Sequence, residues 1–195
     1  MNKKLIIIIV VVAVIVVTAL AIVMWAAGVY NGMVNVEEEA TTALANVQSS
    51  YQRRADLIPN LVETVKGYAT HEKETLEGVI TARSKATDVT LTTDNIQEYQ
   101  KVQGELSQAL GRLIAISEAY PELKANESFQ SLQVQLEGTE NRINVARNQY
   151  NEAVQQYNVT IRRIPNSLLA GIFGFEKMNK FEAAIGSETA PQVKF

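Results

Sequence analysis

Apolar residues are distributed along this chain in two ways: one unbroken run near its start, then stripes that recur every three or four residues almost to its end. Residues 5–27 carry no charged side chain. At ~1.5 Å of helical rise per residue, that run crosses the ~30 Å hydrocarbon core of a bilayer. Thr18, the one hydroxyl in it, can bond the carbonyl a turn earlier, so it does not oppose insertion. Trp25 and Tyr30 stand where an interfacial aromatic anchor belongs. The competing reading is a cleaved secretory signal, because Lys3 and Lys4 make a basic start and Ala19-Leu20-Ala21 has a small-x-small form. Signal cores run to ~7–15 residues. This one continues to Ala27, which favours a retained anchor.

Beyond the run the spacing is helical. Phe129, Leu132, Leu136, Thr139, Ile143, Arg147, Tyr150, Val154, Tyr157, Ile161 and Ile164 alternate steps of three and four without a break. Such a series keeps one stripe facing a partner for about ten turns, and Pro165 ends it. Ile96, Tyr99, Gln103, Leu106, Leu110, Leu113, Ser117 and Tyr120 keep the same rhythm, opened by Asp94 as cap with Gln97 three residues on, and closed at Pro121. The two segments are predicted to form an antiparallel hairpin around 122–128.

Ala40, Leu44, Val47 and Tyr51 continue from the apolar run, so the first soluble helix grows out of the anchor. Pro59 lacks an amide proton and clashes with the preceding turn, which predicts a break there, with Asp56 capping a new helix. Leu61, Val65, Tyr68, Glu72, Leu76, Val79 and Arg83 carry that helix to a polar loop at 84–93. Glycines at 67, 78, 104, 111 and 138 lie inside these helices, as surface drift or as points of close backbone approach, and the heptad spacing of Gly104 and Gly111 leaves both readings open. Residues 167–175 are apolar, short and glycine-broken, too brief to span a bilayer; they pack on the bundle end, touch the membrane surface or meet another subunit. Residues 186–195 read as a tail that needs a partner to be ordered.

Strand signals are nearly absent, with no sustained alternation of period two and no Asn-Gly or Asp-Gly turn. The expected fold is therefore all-α: an N-terminal transmembrane helix followed by an elongated antiparallel helical bundle of about four helices with coiled-coil-like packing. The corresponding division is an anchor at 1–29, a bundle domain at 30–165 and a C-terminal apolar segment and tail at 166–195. About 165 residues follow the anchor, enough for one domain with a real core.

Charge narrows the partners. Lys3 and Lys4 precede the span, no further Lys or Arg occurs before Arg53, and all 21 acidic residues follow the span. The positive-inside bias then favours a cytoplasmic N-terminus with the bundle outside the cell membrane. A net acidic soluble part disfavours nucleic acid and a purely electrostatic grip on anionic lipid. Cysteine is absent, which excludes disulfides and thiol chemistry.

The string Arg53-Arg54-Ala55-Asp56-Leu57-Ile58-Pro59-Asn60-Leu61-Val62-Glu63-Thr64-Val65-Lys66-Gly67-Tyr68 with His71-Glu72 resembles the signature of the LemA family of bacterial membrane-anchored proteins. So do Tyr30-Asn31, Ala82-Arg83, the run Ala146-Arg147 to Tyr150-Asn151 and Tyr157-Asn158, and the closing Pro191-Gln192-Val193-Lys194-Phe195. The resemblance covers nearly the whole chain and implies a single-pass membrane protein with an antiparallel α-helical bundle; it implies little about activity. A tryptophan often found before the Arg-Arg string is missing, with Ala45 and Asn46 in its neighbourhood.

No catalytic, cofactor-binding or metal-ligating residues are assigned. A Ser/His/Asp arrangement would rest on His71, the single histidine, and His71-Glu72 lacks the second histidine of a zincin, since Thr75 stands in its place. Glu37, Glu38 and Glu39 fan around a helix and read as a solvated collar. Gly171-Ile172-Phe173-Gly174 lacks the Lys-Ser/Thr of a phosphate loop. Arg83 and Arg147 fall on the apolar stripes, and Asn151 and Asn158 repeat at a heptad beside Tyr150 and Tyr157; buried polar groups must be paired, and a satisfied network sets helix register. Arg83 and Arg147, like Arg53, Arg54 and Asp56 at the break, are therefore expected to bond carboxylates or helix-end carbonyls inside the bundle, in preference to forming a ligand site. Ile58-Pro59-Asn60 recurs as Ile164-Pro165-Asn166, each after an Arg-Arg pair, and both are expected to mark helix ends.

The function expected is a non-enzymatic scaffold, held in the bilayer by residues 5–27, that acts by self-association into a homo-oligomer or through protein partners, extending to membrane remodelling. A membrane-anchored sensor that reads a ligand and signals through a partner is the alternative; only residues 1–4 precede the span, so its output would need that partner. A hydrolase built on His71 is the third reading.

Overall fold

The computed structural model describes residues 3–182 and is all-α, with no strand among them. Its helices are α1 (Lys3–Lys66), α2 (Lys73–Asp88), α3 (Ile96–Ile116), α4 (Pro121–Lys124), α5 (Glu127–Arg162) and α6 (Asn166–Phe173). The expected tail and the closing 191–195 motif lie outside the described residues. Contacts divide the chain into two compact units, residues 3–40 with 153–177, and residues 41–152 with 178–182, so that α1 and α5 supply residues to both.

In the second unit the stripes meet. Ile58, Leu61, Val62 and Val65 of α1, Leu76, Val79 and Ala86 of α2, Leu106, Ala109, Leu110 and Leu113 of α3, Leu123 of α4, and Phe129, Leu132 and Leu136 of α5 form one buried cluster. The spacing of three and four puts every one of the α3 and α5 members on the inward face.

Two helix boundaries differ from the sequence reading. The chain does not break at Pro59, which sits inside α1 with its ring exposed. It turns instead at 67–72: α1 ends at Lys66, the Ala69 amide donates back to the Val65 carbonyl, and α2 starts at Lys73. The reversal is what lets Leu76 and Val79 bury against Leu61 and Val65 in the same cluster. α2 then runs on to Asp88, so the polar loop is shorter than expected.

Helix starts differ as well. Asp94 does not cap α3; Asn95 occupies that position and uses its side chain in the loop, donating to the Thr90 carbonyl and accepting the Thr92 amide. Asn126, which the stripe pattern does not single out, caps α5 by accepting the Phe129 amide at 2.9 Å. The glycines at 78, 104, 111 and 138 face open space, which removes close helix approach as their reason.

In the first unit, α1 carries the stretch that is long and apolar enough to cross a membrane, none of it buried in protein. Thr18 donates to the Val14 carbonyl at 2.8 Å, one turn earlier, as its chemistry requires. Further along, the Tyr30 ring meets Phe173 and Phe175 edge to face at 4.9 and 5.7 Å. Between α5 and α6, the Asn166 side chain donates to the Thr160 carbonyl and the Ser167 amide to the Arg163 carbonyl, so here the Ile-Pro-Asn string does separate two helices.

Candidate functional site

Polar residues on the seams of the second unit converge on Arg54, 3% exposed on α1. Its Nη1 donates to Ser107 Oγ and to Glu140 Oε2, both at 2.9 Å; Nη2 donates to Gln103 Oε1 at 2.6 Å and to the Gln103 carbonyl at 3.4 Å. The guanidinium lies 5.1 Å from the centre of the Tyr51 ring. Gln103 in turn donates to the Ala86 carbonyl of α2 at 3.3 Å. One side chain thus ties α1 to α3 and α5, and through Gln103 to α2. Arg54 Nε is buried with no acceptor among the described residues. A buried guanidinium is costly unless its donors are paired and a counter-charge is near, and Glu140, half exposed, supplies that charge.

Beside this network the rings of Tyr51 and Tyr99 meet edge to face at 5.2 Å. Burial raises the Tyr51 pKa against the lowering effect of Arg147 and Arg54. Burial first, and Tyr51 second, push Tyr99 up to about 12.

Arg83 explains how α1 passes its proline. A helical carbonyl accepts from the amide four residues on, and for Ala55 that residue is Pro59, which has none. Arg83 Nε on α2 donates to the Ala55 carbonyl at 2.9 Å in its place. Arg83 is therefore paired with a carbonyl as expected, but one in mid-helix and not at a helix end.

The α5 polar residues hold a non-helical strap. Within the second unit, Asn151 reads the backbone of Phe181 with both ends of its amide, accepting its N–H at 2.8 Å and donating to its carbonyl at 2.9 Å. Gln100 of α3 does the same to Glu182, at 3.2 and 3.0 Å. Arg147 donates to the Glu182 carbonyl and Tyr150 to the Asn179 carbonyl. The Phe181 ring, buried, lies 5.4 Å from the Tyr150 ring and 5.1 Å from the Arg147 guanidinium. Burial, with Asp94 nearby, pushes the Tyr150 hydroxyl up to about 12. Within the first unit, the Tyr157 hydroxyl donates to the Glu176 carbonyl, and burial with the Glu37 and Glu176 carboxylates pushes it up to about 12 as well.

The sequence pattern located the α5 half of this arrangement, in Arg147, Tyr150, Asn151 and Tyr157. It missed Phe181, whose only signal is an aromatic in an otherwise polar stretch. It expected Arg53, Arg54 and Asp56 alike to be paired inside the bundle and did not single out Arg54 as the buried one, although the stripe Val47, Tyr51, Arg54, Ile58 has the required spacing. His71 is exposed in the turn between α1 and α2, Glu38 and Glu39 are exposed, and Glu37 is half-buried. Among the described residues no three His, Cys, Asp or Glu side chains are grouped so as to hold a metal ion.

The chain is similar in sequence to known proteins. The magnetosome protein MamQ of Magnetospirillum gryphiswaldense is 25% identical over 189 residues, spanning 84% of this chain and 70% of that protein. Magnetosome proteins MamQ 1 and MamQ 2 of Paramagnetospirillum magneticum are each 27% identical over 198 residues, 88% of this chain and 72% of theirs. The LemA family profile matches residues 43–195, the region that holds the Arg-Arg string, the Arg54 network, Arg83 and the strap. With the match extending over most of its length, the chain belongs to the LemA family.

Proposed function

We propose that this is a non-enzymatic, single-pass protein of the cell membrane whose helical bundle works as a scaffold, by self-association or by binding a protein partner, and in its fullest form by remodelling the membrane. The observation that carries the reading is the bare apolar stretch of α1: its large side chains between Ile6 and Trp25 are exposed. A surface of that size has no stable home in water. The prominent polar side chains of the seams support a structural role, since Arg54, Arg83, Asn151 and Gln100 use their hydrogen-bonding groups to fix helices and strap. The basic Lys3 and Lys4 favour an N-terminus in the cytoplasm and a bundle outside.

Mass photometry of the full chain in detergent tests the scaffold. Particles of two or more chains at micromolar concentration are expected, and they should persist on dilution in the same detergent. A strictly monomeric population, with no protein retained by a cross-linked membrane preparation, would overturn the reading.

A further inference from the structure

The short helix α6 is built the wrong way round for a helix that seals the end of a bundle. Its small Ala170 is buried, whereas Leu168 and Ile172, one turn apart on the opposite face, are 68% and 74% exposed. Phe173 is half exposed, and Ile164, just before the helix, is 87% exposed. These four large apolar side chains are grouped within ten residues of sequence. Packing on its own unit accounts for Ala170 and for the edge of Phe173 against Tyr30, and leaves the rest uncovered.

What covers them is indicated by where α6 docks. Tyr30 follows the end of the apolar run at Ala27 by three residues, about 4.5 Å of helical rise. Phe173 and Phe175 both sit on that tyrosine. The exposed apolar face therefore lies at the level where the apolar run gives way to polar sequence, continuous with the surface that the anchor reading assigns to lipid. Arg162 and Arg163, exposed immediately before Ile164, are suited to the phosphates of headgroups, while the carboxylates of Glu38 and Glu39 stand two turns and more beyond Tyr30 on α1.

We propose that Ile164, Leu168, Ile172 and Phe173 form a second lipid contact, a short interfacial helix that dips into the leaflet from which α1 emerges, with Arg162 and Arg163 on its headgroup side. This rests on the anchor reading of residues 5–27. Two attachments in one leaflet fix the tilt and rotation of the first unit against the bilayer, which a single spanning helix leaves free.

The chain has no cysteine, so single cysteines can be introduced cleanly. The full-length protein carrying Leu168→Cys or Ile172→Cys is labelled with an environment-sensitive fluorophore and reconstituted into vesicles of phosphatidylcholine and phosphatidylglycerol. Val14→Cys in the apolar run and Gln108→Cys on the exposed side of α3 are the references. Labels at 168 and 172 are expected to be quenched by nitroxide lipids several-fold more than the label at 108, and to lose part of that quenching when Arg162 and Arg163 are changed to Gln. Labels at 168 and 172 that behave like the one at 108, while the label at 14 is quenched, would overturn the second contact and leave the anchor standing. A blue-shifted emission at 168 and 172 without lipid quenching would also overturn it, by assigning the face to a second copy of the chain. An unquenched label at 14 would remove the anchor reading itself, and the proposal with it.

Discussion

At position 59 a proline withholds the amide that the Ala55 carbonyl needs, and Arg83, 28 residues on from Ala55, supplies the donor. An unpaired buried carbonyl costs about 1–3 kcal/mol, so Arg83 is worth that much only because residue 59 is proline. A double-mutant cycle isolates the effect. Arg83→Met alone is expected to lower the unfolding free energy by about 2 kcal/mol; in the Pro59→Ala background, where an amide can close the turn, the same change is expected to cost under about 1 kcal/mol. Chemical denaturation of the four proteins in detergent measures both, and equal costs in the two backgrounds would show that Arg83 acts by something other than the missing amide. The pairing marks a limit of reading residues in sequence. That Arg83 lies on a stripe and must be satisfied is legible from spacing; that its partner is a mid-helix carbonyl is not, because spacing predicts a helix that stops at the very proline whose missing amide leaves Ala55 in need of a donor.

The strap at 178–182 shows the same limit at the level of elements. The stripes of α3 and α5 follow from their three-and-four spacing alone, since nothing but a buried face repeats in that way over so many turns. Where an element turns back or has no period, spacing is silent: the reversal at 67–72 is decided by the need of Leu76 and Val79 to reach Leu61 and Val65, and the strap by side chains that read its backbone and hence impose no sequence of their own. Phe181 is the exception, the one buried side chain of the strap's described part. Phe181→Ala is expected to cost about 3 kcal/mol locally, by analogy with other buried phenylalanines, and Asn151→Ala to act in the same direction by removing both bonds to residue 181. Limited proteolysis checks this: both variants should be cut at 178–182 much faster than the parent, with helical circular dichroism unchanged. Cleavage no faster than in the parent would mean that the strap is held elsewhere.

For the molecule as a whole, an all-α class and a seam-packed core are consequences of composition and period, whereas the outward apolar face of α6 depends on tertiary placement that period cannot reveal. A whole-molecule property does follow from three scattered tyrosines. Tyr99, Tyr150 and Tyr157 are each pushed up to about 12 chiefly by burial, from an ordinary value near 10. A phenol that ionises later in the folded chain than in the unfolded one stabilises the fold fully below pH ~10; as pH rises from there toward 12 the unfolded chain releases its protons first, and that stabilisation is lost. A rise of that size would amount to about 2.7 kcal/mol per group, but all three hydroxyls are only partly withdrawn from water, which screens them, so roughly 1 kcal/mol each is the expected size. The fold should therefore be indifferent to pH between about 8 and 10 as far as these groups are concerned, and should lose a few kcal/mol between 10 and 12. Tyrosinate absorbance and helical circular dichroism followed together in detergent provide the check. Part of the absorbance is expected to appear only as the helices melt, and its appearance in one step near pH 10 with all helix retained would show that these hydroxyls are not held by the packing described.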